Sequence, residues 1–213
     1  MKDVIEHYDK LIDENNDPFN DPETLKKYMD KWDGDRFICA LMLDESKTVL
    51  EIGVGTGRLA AKVIPFCNQF WGIDISPKTI SRASENLMPY KNVHLICEDF
   101  LKHCFANRFD VIYSSLTFMH IKDKQSAVNK IASLLNDGGI FVLSVDKSQS
   151  QYIDMGTRKI KIYPDSADSI RQNLVSTNLC IVDEFETEFA YVTVSKKAFS
   201  CERMGTVVAV DEE

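Results

Sequence analysis

Residues 48–58 read Thr48-Val49-Leu50-Glu51-Ile52-Gly53-Val54-Gly55-Thr56-Gly57-Arg58. The apolar run of Val49, Leu50 and Ile52 has the length and composition of a buried strand. Gly53, Gly55 and Gly57 end it, and Leu59, Ala60, Val63 and Ile64 then fall on one face of a helix. A strand, a glycine turn and a helix aim backbone N–H groups and a helix N-terminus at whatever sits above the turn. Glycine reaches backbone angles barred to other residues and places no Cβ against a ligand. The spacing is E-x-G-x-G-x-G. A G-x-G-x-x-G dinucleotide fingerprint needs glycine at position 58, where Arg58 stands.

The strand-turn-helix unit needs a domain around it, and 213 residues suffice for one well-buried domain and are short for two. A hydrophobic content of 44% with 27% charged residues is that of a folded globular chain. The net charge of −8 repels a phosphate backbone and argues against a nucleic-acid substrate. Six cysteines, Cys39, Cys67, Cys97, Cys104, Cys180 and Cys201, are scattered without a C-x-x-C pair. They are expected to be small buried hydrophobes of a reducing compartment, with no metal site. Met1 to Glu6 carries charges where a signal peptide needs an apolar stretch, and no run reaches membrane-spanning length. The expectation is a cytoplasmic protein with no membrane partner.

Read in order, Val4, Tyr8, Leu11 and Ile12 have helical spacing, and a polar loop with Pro18 follows. Asp21-Pro22 predicts a helix start, with Asp as cap, and Leu25, Tyr28, Met29 and Trp32 form its apolar face. A third short helix is predicted over Phe37 to Leu43. Residues 1–45 thus form a helical cap with no core of its own, lying on residues 46–198. Gln69 to Asp74, Val93 to Cys97, Phe109 to Ser114 and Ile140 to Val145 are further strands. Ser76-Pro77 opens one intervening helix and Asp123 caps another, which Asp137-Gly138-Gly139 stops. Residues 151–163 suggest a hairpin or flap around Gly156, and a helix follows from Asp165 to Asn178. Cys180 to Glu186 and Phe189 to Ser195 are joined too closely for anything but an antiparallel hairpin. The predicted architecture is α/β: a doubly wound, seven-stranded, mainly parallel sheet with a C-terminal antiparallel hairpin and an N-terminal helical cap. In the tail, residues 199–213, a strand from Gly205 to Val210 is the one suggestion.

In such a sheet the carboxyl edge faces a ligand crevice, and Asp74 falls there at the end of the second strand. Its carboxylate either accepts hydrogen bonds from adjacent ribose hydroxyls or is a solvated turn residue; beside the glycine motif, the first reading is favoured. Ile75 is placed to lie on an adenine face. Glu51 to Gly57, with the terminal antiparallel hairpin, resembles class I S-adenosylmethionine-dependent methyltransferases over roughly residues 45–198. The resemblance extends to Asp74, Asp99 and the stretch Leu134 to Gly139.

That resemblance implies S-adenosylmethionine as cofactor. Gly53, Gly55 and Gly57 would shape its loop. Asp99, or Glu98 beside it, would accept from the adenine amino group, with Phe100 adjacent. Glu51 would order the loop or the amino end of the cofactor, or else be a satisfied carboxylate near a helix N-terminus. Ser115 and Leu116 would border cofactor and substrate. Asp110 to Thr117 contains no N/D-P-P-Y motif, which argues against base methylation and for a small-molecule acceptor. His120 either serves as a general base or packs and hydrogen-bonds the next helix. Trp32 and Tyr28 either close over the cofactor, Trp32 by cation–π attraction to the sulfonium, or pack in the core. Arg158, Lys159 and Lys161 either hold an anionic acceptor or line a solvated flap. Methyl transfer to an O, N, S or C atom of a small molecule is the leading expectation. A non-catalytic module that binds the same cofactor is the alternative. A nicotinamide oxidoreductase is disfavoured by Arg58.

Overall fold

The computed structural model describes residues 2–199. Three helices open the chain, α1 (Lys2–Asp13), α2 (Glu23–Met29) and α3 (Gly34–Ala40). The order continues β1 (Thr48–Ile52), α4 (Ala60–Val63), β2 (Gln69–Asp74), α5 (Pro77–Asn86), β3 (Val93–Cys97) and β4 (Phe109–Ser115). Then come α6 (Lys124–Leu134), β5 (Leu135–Asp146), β6 (Tyr152–Asp154), β7 (Lys159–Lys161), α7 (Ala167–Val175), β8 (Leu179–Glu186) and β9 (Ala190–Lys197).

Seven strands form one sheet in the order β3-β2-β1-β4-β5-β9-β8. β1 to β5 run parallel, while β9 pairs antiparallel with both β5 and β8. The chain moves outward from β1 to β3 and returns to β4 on the other side of β1. That reversal leaves a crevice above the carboxyl ends of β1 and β4, where doubly wound sheets bind ligands.

Strand alternation sends neighbouring residues to opposite faces and makes two cores. Leu50, Ile112 and Phe141 pack with Val128 and Ile131 of α6. Val49, Val111 and Val142 pack on the other face with Phe37 of α3 and Val63 of α4. The cap therefore shares the second core. The caps read in the sequence form as side-chain bonds: Ser76 accepts from Thr79 N–H at the start of α5, and Asp123 from Ser126 N–H at the start of α6.

Several local expectations are corrected. Helix α2 has Pro22 at its N-cap and no side-chain cap bond, so Asp21 does not cap it. None of its residues is buried, and Leu25 and Tyr28 of the expected apolar face are exposed. Helix α6 ends at Leu134 and β5 begins at once, so Asp137-Gly138-Gly139 lies in a strand. Glycine serves there by relieving backbone crowding at an irregular register: a Cβ on Gly139 would meet the Asn136 carbonyl oxygen at 2.8 Å and that of Asp110 at 3.1 Å. Residues 151–163 do form a hairpin, β6 with β7. Cys67 is buried, but Cys39, Cys97, Cys104 and Cys180 are exposed free thiols. Cys201 and the suggested strand from Gly205 to Val210 lie outside the described residues. Among those residues no helix is long and apolar enough to cross a membrane, and no group of acids, histidines and cysteines is arranged to hold a metal ion.

Candidate active site

A cavity of about 470 Å³ opens above β1 and β4. Its volume lies within the roughly 300–1,000 Å³ common for small-ligand sites. Glu51, Gly53, Gly55, Asp74, Ile75, Asp99, Phe100, Ser115 and His120 all line it. Gly57 and Trp32 are not among its lining residues. Gly57 faces Leu87, which a Cβ would meet at 3.0 Å. Trp32 is held away by its indole N–H, which donates to Asp146 Oδ2 at 2.6 Å, and by packing on Phe189.

The turn after β1 explains its glycines. A Cβ on Gly53 would strike Thr117 Oγ1 at 1.9 Å, because the turn packs directly on the chain leaving β4. Gly55 has φ +56 and nothing within 4 Å of its missing Cβ, so any side chain there would enter open space. Its N–H donates to Asp74 Oδ2 at 3.1 Å, and Ser76 N–H donates to Asp74 Oδ1 at 3.0 Å. Burial pushes the Asp74 carboxyl up, opposed by these bonds. Asp99 is fixed by Leu101 N–H at 3.0 Å. Glu98, the neighbouring acid, is exposed and paired with His103 at 2.6 Å. Asp99 is therefore the more enclosed of the two, its side chain 13% exposed against 46%.

Glu51 is a buried part of the cavity floor. Tyr113 donates to its Oε2 at 2.8 Å, and burial raises it to about 8, against the pull of that bond and of Arg58. In the sequence Arg58 only spoils a fingerprint. In the structure it grips Asp33 with both guanidinium nitrogens, at 3.0 and 2.5 Å. Asp33 also accepts from Gly34 N–H at 2.9 Å and from Ser115 Oγ at 3.0 Å. One buried carboxylate thus ties the cap to the glycine turn and to the end of β4. Burial works against the charge of Arg58, but Asp33 more than offsets it and holds its pKa above the ordinary value. Leu116, next along, takes φ +56, a left-handed backbone that is strained for leucine.

His120 ends a 3-10 turn over Phe118–His120. Its Nε2 lies 2.7 Å from Tyr8 Oη, while its Nδ1 is buried without a hydrogen-bond partner among the described residues. Burial, with His7 and Lys124 nearby, lowers its pKa to about 4. Arg158 is taken by Glu14 and His7. Lys159 lies over the Tyr152 ring and Lys161 over Tyr163. The sequence hides the roles of Tyr8 and Asp33 because both act across long sequence separations; a polar residue on an apolar helical face is the one signal for Tyr8.

Residues 43–193 match the family model for a methyltransferase domain. An uncharacterized methyltransferase of Anoxybacillus flavithermus is 31% identical over 79% of this chain and 81% of its own length. Malonyl-[acyl-carrier protein] O-methyltransferase 2 of Ilyobacter polytropus is 29% identical over 62% of this chain, and the match spans about half of that relative, 51%. Magnesium protoporphyrin IX methyltransferase of Synechocystis PCC 6803, crystallised with bound S-adenosylmethionine, shares the fold. Its TM-score is 0.73 at 15% identity, over 92% of this chain and 95% of that one. The chain belongs to the methyltransferase domain family, in its class I, S-adenosylmethionine-dependent form.

Proposed function

We propose that this chain is an enzyme that transfers a methyl group from S-adenosylmethionine to a small-molecule acceptor, in the cavity above β1 and β4. One observation carries the reading. Gly55, Asp74 and Asp99 line a single cavity, and the missing Cβ of Gly55 leaves open the space a ligand would fill. Asp74 would hold the ribose hydroxyls, Ile75 and Phe100 the adenine, and Asp99 its amino group. Gly53 and Gly55 would shape the loop, Gly57 would set its turn from behind, and Ser115 would border the transfer point. Trp32 would act at most from outside that shell. Residues 1–45 serve as the cap over residues 46–198, and the tail from 199 has no assigned part. The net charge of −8 supports a small acceptor rather than a nucleic acid.

Bound there, S-adenosylmethionine supplies a methyl group already activated on a sulfonium sulfur. The chain has to align the two reactants and exclude water, which is worth roughly 7–11 kcal/mol of barrier. His120 offers one nitrogen to Tyr8 and buries the other, which supports a positioning role ahead of direct proton removal. Titration calorimetry with S-adenosylhomocysteine tests the reading. Asp74→Ala is expected to weaken binding by about 1.5–3 kcal/mol, the range for a hydrogen bond to a charged group. Unchanged affinity would remove Asp74 from the site.

A further inference from the structure

An open sheet has two edge strands, and each presents backbone N–H and C=O groups with which another strand can pair. In this sheet the edges are β3 and β8. They are defended very differently. β8 carries a register break between Ile181 and Asp183, and Asp183, Glu184 and Glu186 are exposed along it. Two copies meeting there would set acid against acid. β3 reads Val93-His94-Leu95-Ile96-Cys97, with no acid, lysine, arginine or proline, and its register on β2 is unbroken. A bare, regular edge of that kind is a template for a further strand.

The backbone bonds on either side of β3 fix which of its groups point outward. The Asn92 carbonyl accepts from Phe70 N–H at 2.8 Å, and Glu98 N–H donates to the Asp74 carbonyl at 3.0 Å. Even-numbered residues of this segment therefore turn to β2. Val93, Leu95 and Cys97 turn their N–H and C=O groups outward, where no described strand lies. Helix α5, packed beside β3, leaves that flank open. Its Thr79 and Ala83 face the core. Lys78 and Arg82 lie to one side, bonded to Asp13 and Asp17 of the cap. Asn86 on that same side donates to the Thr56 carbonyl of the glycine turn at 3.0 Å. Helical spacing puts Ser81 and Ser84 on the other side, away from the glycine turn, and both are exposed and uncharged.

Two copies related by a two-fold axis present the same strand to each other, running antiparallel. An axis through Leu95 is the register in which every outward residue finds a partner, Leu95 with Leu95 and Val93 with Cys97. That register sets the exposed Lys91 of each copy opposite Asp99 of the other. Glu98, next to Asp99, bonds His103 through Oε2 and keeps Oε1 for the same lysine. Unlike charges thus meet at both ends of the seam, although each chain carries −8 overall. Glu98 and Asp99 also line the cavity, so the seam ends at the rim of the candidate active site.

We propose that two copies of this chain join through β3, in an antiparallel two-fold pairing centred on Leu95 that makes one continuous sheet of both. The pairing does not depend on what the cavity binds. Sedimentation equilibrium of the full chain is expected to give the mass of two chains at about 0.1 mM, about a hundredfold above a micromolar Kd. Amide hydrogen exchange is expected to slow at Val93, Leu95 and Cys97 as concentration rises, and to stay unchanged along β8. Leu95→Pro removes an N–H that serves no bond within the chain, and is expected to give a monomer with the parent's circular dichroism. Lys91→Glu sets acid against acid at both ends and is expected to weaken pairing about tenfold. It decides the matter should Leu95→Pro fail to fold. A dimer as strong in Lys91→Glu as in the parent, or protection that grows elsewhere than on β3, would overturn the proposal. A monomer at that concentration would overturn it as well, and would leave the edge to a strand of a different protein.

Discussion

The two halves of the cavity are built differently. On the β2–β3 side, Asp74 accepts from N–H groups of the adjoining turn and of the neighbouring glycine loop, and Asp99 is held by Leu101 two residues on. On the β4 side, Ser115 meets Asp33 across 82 residues and Tyr8 meets His120 across 112. The first half is made by the sheet itself. The second exists only because the cap is docked on it. The β2–β3 side is thereby a property of the fold, and the β4 side a property of one contact network.

Breaking that network gives the largest expected effect. Arg58→Ala leaves the buried Asp33 side chain without its cationic partner, a change worth about 3–5 kcal/mol of stability. Urea unfolding followed by circular dichroism measures it. A loss under about 1 kcal/mol would mean that the cap does not depend on this pair. The smaller effect sharpens the contrast at the floor of the cavity. Glu51 is raised from 4.5 to about 8 in the fold. The folded chain therefore holds a proton there that the unfolded chain has released. Stability from this group is full below pH 4.5 and is lost as pH rises toward 8. His120, lowered to about 4, works the other way, and its contribution fades as pH falls from 6.5. Glu51→Gln is expected to remove a slope of at most about 1.4 kcal/mol per pH unit between those limits. Melting curves across pH read it directly; an unaltered slope would show that Glu51 is ionised in the fold.

The same contrast explains what could be read from the chain alone. The strand, the glycine turn, Asp74 and the caps at Ser76 and Asp123 are local, so their residue types announce them. The antiparallel end of the sheet was legible because its link is too short for any other geometry. Helix α2 misled because helical spacing records periodicity and not what lies opposite, and nothing buries Leu25 or Tyr28. Asp137 to Gly139 misled because a glycine relieves backbone crowding, as Gly139 does, as readily as it stops a helix. Arg58, Asp33 and Tyr8 stayed hidden because each takes its meaning from a partner at least 25 residues away. Their partners become visible only once the cap is folded over the sheet.

Diffraction from crystals grown with S-adenosylhomocysteine tests the proposed cofactor site most directly. The ribose hydroxyls are expected within hydrogen-bond distance of Asp74, with the adenine against Ile75 and its amino group at Asp99. Density for the nucleoside anywhere else, or a cavity above β1 and β4 holding only solvent, would contradict the assignment of this site.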